Sequence, residues 1–371
     1  MKLFQEKPVI QKYEDVKSFV EEHQIGKNDF ILATRRIYDT YFAPLGLKAH
    51  VEYKSKYGAG EPNDEMVDAL LADFRKGDYK RIVAIGGGAV IDMAKILVLD
   101  GEVKAEQYYR REVPIKKVRT LLAVPTTCGA GSEVSNISIT EITSIHSKLG
   151  LAIDELYADE AILIPELLKE LPYEFFATSA IDAFIHAIES YVSPRANLYT
   201  EMFGEKAMEM ILSGFEKIAS NGKEYRMELL DDFLVASNLA GIAFGNAGTG
   251  MVHAMSYPLS GMYHVAHGEA NYQFLTAVFA AYSKMNPTGK ILKLNAFLAK
   301  TLNCEEAVVY EKLQELLDQI ISRKKLREYG MKEEEIHSFA VSVEESQQRL
   351  LNQSYVKPTV AQMEEVYREL Y

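Results

Sequence analysis

The sequence predicts an α/β plus all-α chain: an α/β domain with a largely parallel sheet over residues 1–165, then a helical domain over 166–371. Three observations carry this. The 371 residues, 48% of them hydrophobic, exceed what one core absorbs, because single cores stop growing near roughly 250–300 residues. The first half alternates short β-like runs with helical patterns, which implies parallel strands covered on both faces. Beyond about Pro165 strand signals almost vanish and long helical periods take over, with no low-complexity linker between. The boundary in the Pro165 to Pro172 stretch is therefore a change of architecture and not a tether.

Five apolar runs read as strands: Asp29 to Thr34, Ala49 to Tyr53, Arg81 to Ile85, Thr120 to Val124 and Ala161 to Ile164. Between the second and third lies Asn63 to Lys76, with Met66, Ala69, Leu70 and Phe74 at helical spacing. Ser135 to Glu141 and Leu149 to Asp154 are candidates for an extra hairpin. In the second half, Glu174 to Val192, Tyr199 to Ser220, Arg226 to Asn246 and Gly250 to Leu259 read as helices. The tail from Glu305 onward alternates charged and apolar residues at helical spacing.

The formal charge of −12 repels phosphate backbones and anionic lipid, which argues against nucleic-acid and constitutive membrane partners. Two cysteines do not make a disulfide scaffold. The start has no uncharged apolar segment of the secretory kind, and no run of 18 or more apolar residues suggests a membrane span. The expectation is a cytoplasmic protein.

Gly86-Gly87-Gly88 follows the strand Arg81 to Ile85 and precedes a helical run, AVIDMAKILVL. Glycines there permit positive φ and a close approach of backbone to ligand, and the helix N-terminus offers unpaired N–H groups to an anion such as pyrophosphate. A tight strand-to-helix turn without a ligand is the alternative. A second loop, P-T-T-C-G-A-G-S-E from Pro125 to Glu133, follows the next strand and adds the hydroxyls of Thr126, Thr127 and Ser132. Ligands of open α/β sheets bind beyond the carboxyl ends of strands, so two such loops on consecutive strands favour a shared crevice. Cys128 has no base beside it in sequence and reads as a buried thiol.

Asp182 and His186 are four residues apart in SAIDAFIHAIE, one turn apart on one helix face, among Ile181, Phe184, Ile185 and Ile188. A buried carboxylate is costly unless paired or bound to a metal. Taken alone, the pair also fits a surface Asp–His hydrogen bond. His253, His264 and His267 then fall in a segment with few charges, so that with His186 it holds half of the 8 histidines. A carboxylate with imidazoles is a reasonable site for a borderline divalent metal, although any one of these histidines alone reads as a satisfied core residue.

These motifs together resemble the iron-containing, or group III, alcohol dehydrogenases. The resemblance lies in GGGAVIDMAK at Gly86 to Lys95, PTTCGAGSE, DAFIHAIE and the VH…HG pair, and it runs over most of the chain. It implies a Rossmann-like dinucleotide-binding domain followed by a helical metal-binding domain of the dehydroquinate synthase-like fold. It implies an oxidoreductase that transfers a hydride between a nicotinamide cofactor and a primary alcohol or aldehyde. Asp182, His186, His253 and His267 would bind the metal, Fe²⁺ or else Zn²⁺. Gly86, Gly87, Gly88 and Asp92 would surround the pyrophosphate of NAD, Thr126 and Thr127 would lie beside the adenosine and pyrophosphate, and Lys148 would reach the nicotinamide ribose.

Three positions depart from the family pattern. Ala89 replaces a serine after the glycines. Arg35 stands where an acidic residue is common, which leaves NAD expected but NADP admissible, since an arginine can accept a 2′-phosphate. Tyr257 replaces a histidine one turn after His253, a proposed proton carrier. Within the family the substitutions and length most resemble members that interconvert 4-hydroxybutyrate and succinate semialdehyde. Tyr257 and His264 are then the candidate catalytic residues, as hydrogen-bond donors to the substrate carboxylate; packing is the alternative for both. A general alcohol or diol dehydrogenase is the second expectation. A dehydroquinate synthase-like lyase is the third, and the lack of Lys and Arg in the metal segment counts against it. The expected partners are a small-molecule alcohol or aldehyde and a second copy of the chain, as a homo-oligomeric dimer.

Overall fold

The computed structural model describes residues 2–145 and 147–371. The chain forms two compact units, Glu6–Leu171 and Pro172–Tyr371, the latter joined by the N-terminal residues through Gln5. The division falls within the stretch where the sequence changes texture. Residues 166–171 stay with the first unit because Leu167 enters its core and the Glu166 carboxylate accepts the Val16 amide at 2.7 Å. The first residues join the helical unit through the Phe4 ring stacked on Phe203 and the Gln5 amide donated to Asn246 at 2.8 Å.

The first unit is a six-stranded parallel sheet in the order β1-β8-β5-β4-β2-β3. The strands are β1 Val9–Lys12, β2 Asp29–Ala33, β3 His50–Tyr53, β4 Arg81–Gly86, β5 Thr120–Pro125 and β8 Glu160–Leu163. Its central strands are apolar on both sides, as a sheet covered on both faces requires. Phe30, Leu32, Ile82 and Ala84 point into one core with α3 (Asp64–Phe74), α4 (Gly88–Leu97) and α5 (Ala105–Tyr109). Their neighbours Ile31, Ala33, Val83 and Ile85 point into the other, with α1 (Val16–His23) and the short α2 (Arg35–Ile37). The candidate hairpin is present as antiparallel β6 (Ile137–Ile142) and β7 (Ser147–Ala152). β1 was not among the expected strands: it is an edge strand of four residues, with Val9 and Ile10 exposed and no apolar run to announce it.

The second unit is helical: α6 Tyr173–Val192, α7 Leu198–Asn221, α8 Leu230–Ala247, α9 Met251–Tyr263, α10 His267–Met285 and α11 Lys290–Thr301. The tail adds α12 Val309–Ile320, α13 Glu335–Ser346, α14 Gln348–Leu351 and α15 Val360–Leu370. α6 is the central helix, buried almost without interruption from Phe176 to Val192 and packed on α7, α8, α10 and α11. α8 starts later than its pattern suggests, because Lys223–Glu228 forms a 3₁₀ turn that buries Arg226. α9 runs through Pro258 to Tyr263. Among the described residues no helix is long and apolar enough to cross a membrane.

Candidate metal centre and cofactor pocket

In the helical unit, α6 presents Asp182 and His186 on one face, α9 presents His253 from its first turn, and α10 opens on His267. One ligand-capable atom from each lies within 4.8 Å of the others, and the first three residues are buried. The Nε2 atoms of His186 and His253 face each other at 3.1 Å. His186 stacks on Phe244 of α8 with ring centroids 4.3 Å apart, which fixes its ring plane. Burial alone would raise the Asp182 carboxyl, but the charges of His186, His267 and His253 and the Asn271 amide outweigh it and hold the group below its ordinary value. A carboxylate and three imidazoles, converging and mostly out of water, fit a borderline divalent cation such as Fe²⁺ or Zn²⁺.

The supporting residues were not read from the sequence. Asn271 donates to Asp182 Oδ1 at 2.8 Å, lies 3.1 Å from His267 Nε2, and accepts from Ser256 at 2.5 Å, so it ties α10 to α6 and α9. Glu189 of α6 reaches the first turn of α9, with Oε2 2.6 Å from His253 Nδ1 and Oε1 accepting the Val252 amide at 2.7 Å. Spacing held a signal for both. Glu189 lies three residues after His186, on the same helix face, and Asn271 lies four after His267. Gly268 brings α10 onto α6: a Cβ there would sit 2.7 Å from the Thr178 carbonyl oxygen.

Tyr257 is half-buried one turn beyond His253, its ring centroid 6.2 Å from that of His267. His264 caps the carboxyl end of α9 in the left-handed region, φ 54°, with its side chain exposed. The structure thus brings Tyr257 beside the donor cluster and places His264 at an exposed helix end.

In the α/β unit, a pocket of about 390 Å³ opens at the carboxyl ends of β2, β3 and β4. Chain order reverses there, as β3 leaves β2 on one side and β4 returns on the other, the switch point at which such sheets bind ligands. Thr34, Arg35, Lys54, Ser55, Gly87 and Ala89 are among its walls. Gly87 is the N-cap of α4 and no side chain caps that helix. None of the three glycines uses the positive φ that the residue type permits. They serve close approach instead: a Cβ at Gly86 would lie 2.4 Å from Val90, and one at Gly88 would lie 2.8 Å from Ala130. Thr126 continues β5, its amide on the Gly86 carbonyl at 3.1 Å, and Thr127 flanks Gly87. The Arg35 guanidinium sits 3.9 Å over the Tyr53 ring. Lys148 donates to Glu61.

Asp92 is buried between Ser132 of the second loop and the hairpin. Its Oδ2 accepts the Ile139 amide at 2.9 Å, and its other oxygen lies 3.6 Å from the buried Lys95 ammonium, which donates to the Ile137 carbonyl at 2.5 Å. Burial pushes Asp92 up and Lys95 down. The pair fastens α4 to β6.

A parallel α/β unit joined to a helical unit that buries a carboxylate–imidazole cluster is the architecture of a metal-dependent dehydrogenase. The chain belongs to the iron-containing alcohol dehydrogenase family: that family's model matches residues 9–165, and the model of its C-terminal part matches residues 176–371. It is 49% identical to a 4-hydroxybutyrate dehydrogenase of Clostridium kluyveri over 371 residues, all of both chains. It is 29% identical to long-chain-alcohol dehydrogenase 1 of Geobacillus thermodenitrificans, over 96% of this chain and 91% of that one. The solved iron-containing alcohol dehydrogenase of Thermococcus thioreducens superposes with a TM-score of 0.83 at 25% identity, covering 99% of each chain.

Proposed function

We propose that the protein is an NAD-dependent, metal-dependent dehydrogenase that interconverts 4-hydroxybutyrate and succinate semialdehyde. The convergence of Asp182, His186, His253 and His267 within 4.8 Å carries the metal part of this reading. The 49% full-length identity to a 4-hydroxybutyrate dehydrogenase carries the substrate. When bound, the cation supplies Lewis acidity to an alcohol or carbonyl oxygen, and the nicotinamide supplies the hydride acceptor or donor.

The chain's own residues hold these groups. The four side chains above bind the metal, with iron the expected ion. Gly86, Gly87 and Gly88 admit the pyrophosphate to the bare N-terminus of α4, flanked by Thr126 and Thr127. Asp92 acts by fixing α4 to the hairpin, Arg35 lines the wall at the ribose end, and Lys148 serves the nicotinamide ribose. Tyr257, half-buried beside His267, donates its hydroxyl to the substrate, and His264 offers an imidazole to the carboxylate. A homodimer is the proposed assembly, and light scattering on the purified chain measures it.

The discriminating experiment is kcat/KM for 4-hydroxybutyrate, 1-butanol and 1,4-butanediol on protein loaded anaerobically with iron. A site that pairs the carboxylate disfavours the analogues strongly, because its polar groups are then left unsatisfied. Comparable values would replace this reading with a general alcohol dehydrogenase, as the similarity to a long-chain-alcohol dehydrogenase would then suggest. Tyr257→Phe should lower activity on the hydroxy acid more than on butanol; equal losses would move Tyr257 to proton transfer or structure.

A further inference from the structure

The buried carboxylate of Glu189 touches a candidate ligand without being one. Its side chain is 1% exposed and that of His253 4%. A carboxylate so far from water needs full compensation. It has two donors, the Val252 amide at 2.7 Å on Oε1 and His253 Nδ1 at 2.6 Å on Oε2. Val252 is the second residue of α9, where a helix leaves its amides without intrahelical acceptors, and the helix dipole there favours a negative charge. One side chain of α6 thus caps α9 and grips the ring of the next residue.

We propose that Glu189 is a positioning residue for metal binding: it fixes the Nδ1–H tautomer of His253 and so leaves the Nε2 lone pair to face His186, Asp182 and His267. The inference rests on the metal reading of those four residues. An imidazole that donates from one nitrogen must accept, or ligate, with the other. The acceptor on Nδ1 therefore decides whether Nε2 can bind a cation. The Val252 amide is always a donor, so the group between it and His253 must accept twice. Glutamate does this; glutamine does not. In Glu189→Gln the amide nitrogen must point at one of the two. Against Val252 it sets donor against donor. Against His253 it makes Nδ1 an acceptor and moves the ring proton to Nε2, where it blocks the metal. The spacing on α6 is part of the same arrangement, as Asp182, His186 and Glu189 share one face and deliver two ligands and the orienting carboxylate together.

The test is the dissociation constant for Co²⁺, followed by its d–d absorption, in wild type, Glu189→Gln, His253→Ala and the double variant. Glu189→Gln should weaken binding about 10–100-fold, the usual effect of removing a partner of a ligating histidine. In the His253→Ala background it should cost nothing more. Wild-type affinity in Glu189→Gln, or the same loss in both backgrounds, would overturn the inference while leaving the metal reading intact. A wild type that binds no divalent metal would overturn both. A measurement without any variant guards against a Glu189→Gln chain that fails to fold: long-range ¹H–¹⁵N spectra of histidine-labelled wild type report each ring's tautomer. His253 should carry its proton on Nδ1 both without metal and with Zn²⁺; an Nε2–H ring in the metal-free protein would overturn the proposal.

Discussion

Gly268→Ala should disturb the metal centre although it adds one methyl and replaces no ligand. The added Cβ would lie 2.7 Å from the Thr178 carbonyl oxygen, 3.2 Å from its carbonyl carbon and 3.3 Å from Asp182 Cβ. Two of these are backbone atoms of α6, which cannot rotate away. The Thr178 carbonyl is the helical acceptor one turn before Asp182, so pressure on it falls on the turn that carries that carboxylate. Ordinary contact begins at 3.4 Å, so the first turn of α10 must back off by about 0.7 Å, taking the neighbouring His267 with it. Ligand sets tolerate errors of about 0.5 Å, so the displacement exceeds what the site absorbs. Overpacking of this kind costs about 1–3 kcal/mol of stability, and metal affinity should fall about tenfold or more. Thermal unfolding of the metal-free protein reads the first effect and Co²⁺ titration the second. A variant with both wild-type melting temperature and wild-type metal affinity would refute the packing argument. Loss of stability with unchanged affinity would refute the coupling to His267.

Gly87→Val puts a branched side chain where even a Cβ would meet Thr127 at 3.2 Å and covers the start of α4. Losing about 1.4 kcal/mol of cofactor binding raises its KM about tenfold with the alcohol KM unchanged, and steady-state kinetics showing an unaltered cofactor KM would move the pyrophosphate elsewhere. Arg35→Asp removes the cation stacked on Tyr53, so kcat/KM for NADP should fall by a larger factor than that for NAD; equal factors would show that Arg35 does not face the 2′-position. Glu6 is pushed up to about 8, by burial first and the Glu133 charge second, against the smaller opposing effect of the Lys7 amide. Folded Glu6 therefore holds a proton that the unfolded chain has lost between about pH 4.5 and 8, so its contribution is complete below 4.5 and is lost as pH rises through 8. Glu6→Gln should raise the melting temperature above pH 8 and do little at pH 4, and a pH-independent difference would contradict this.

Much of the α/β unit was legible because its information is local. A strand such as Phe30-Ile31-Leu32-Ala33 feeds both cores, so it appears in sequence as an unbroken apolar run. The four candidate ligands were legible for a similar reason. Asp182 and His186 share a helix face, and His253 and His267 stand in a stretch with few charges. The glycine-rich loop after β4 was legible as a turn, but which of the two uses of glycine applies there was not. Positive φ is the general use of glycine in a turn, whereas Gly86 and Gly88 are excluded from bearing a side chain by Val90 and Ala130. Only the folded arrangement shows which of the two constraints applies. β1 was missed because an edge strand of four residues, exposed on both faces, needs no apolar run.

The least legible part was the frame around the metal candidates, and the reason is sequence distance. Glu189 meets His253 across 64 positions and Asn271 meets Asp182 across 89. The tail, which carried no motif, reaches α9 directly. Pro258 lies within α9, so the carbonyl one turn before it lacks a helical donor, and strain of this kind bends helices. The buried Tyr367 of α15 donates its hydroxyl to the neighbouring Met255 carbonyl at 2.7 Å, between His253 and Tyr257. Ser354 packs against Gly250 at the start of the same helix. α9 is thus held at its start by Glu189 and Ser354 and at its middle by Tyr367; His253 lies between these holds and Tyr257 two residues beyond the second. The tail sets the course of a helix that the ligand motif only marks, which is why its composition resembles ordinary packing and its effect falls on the site.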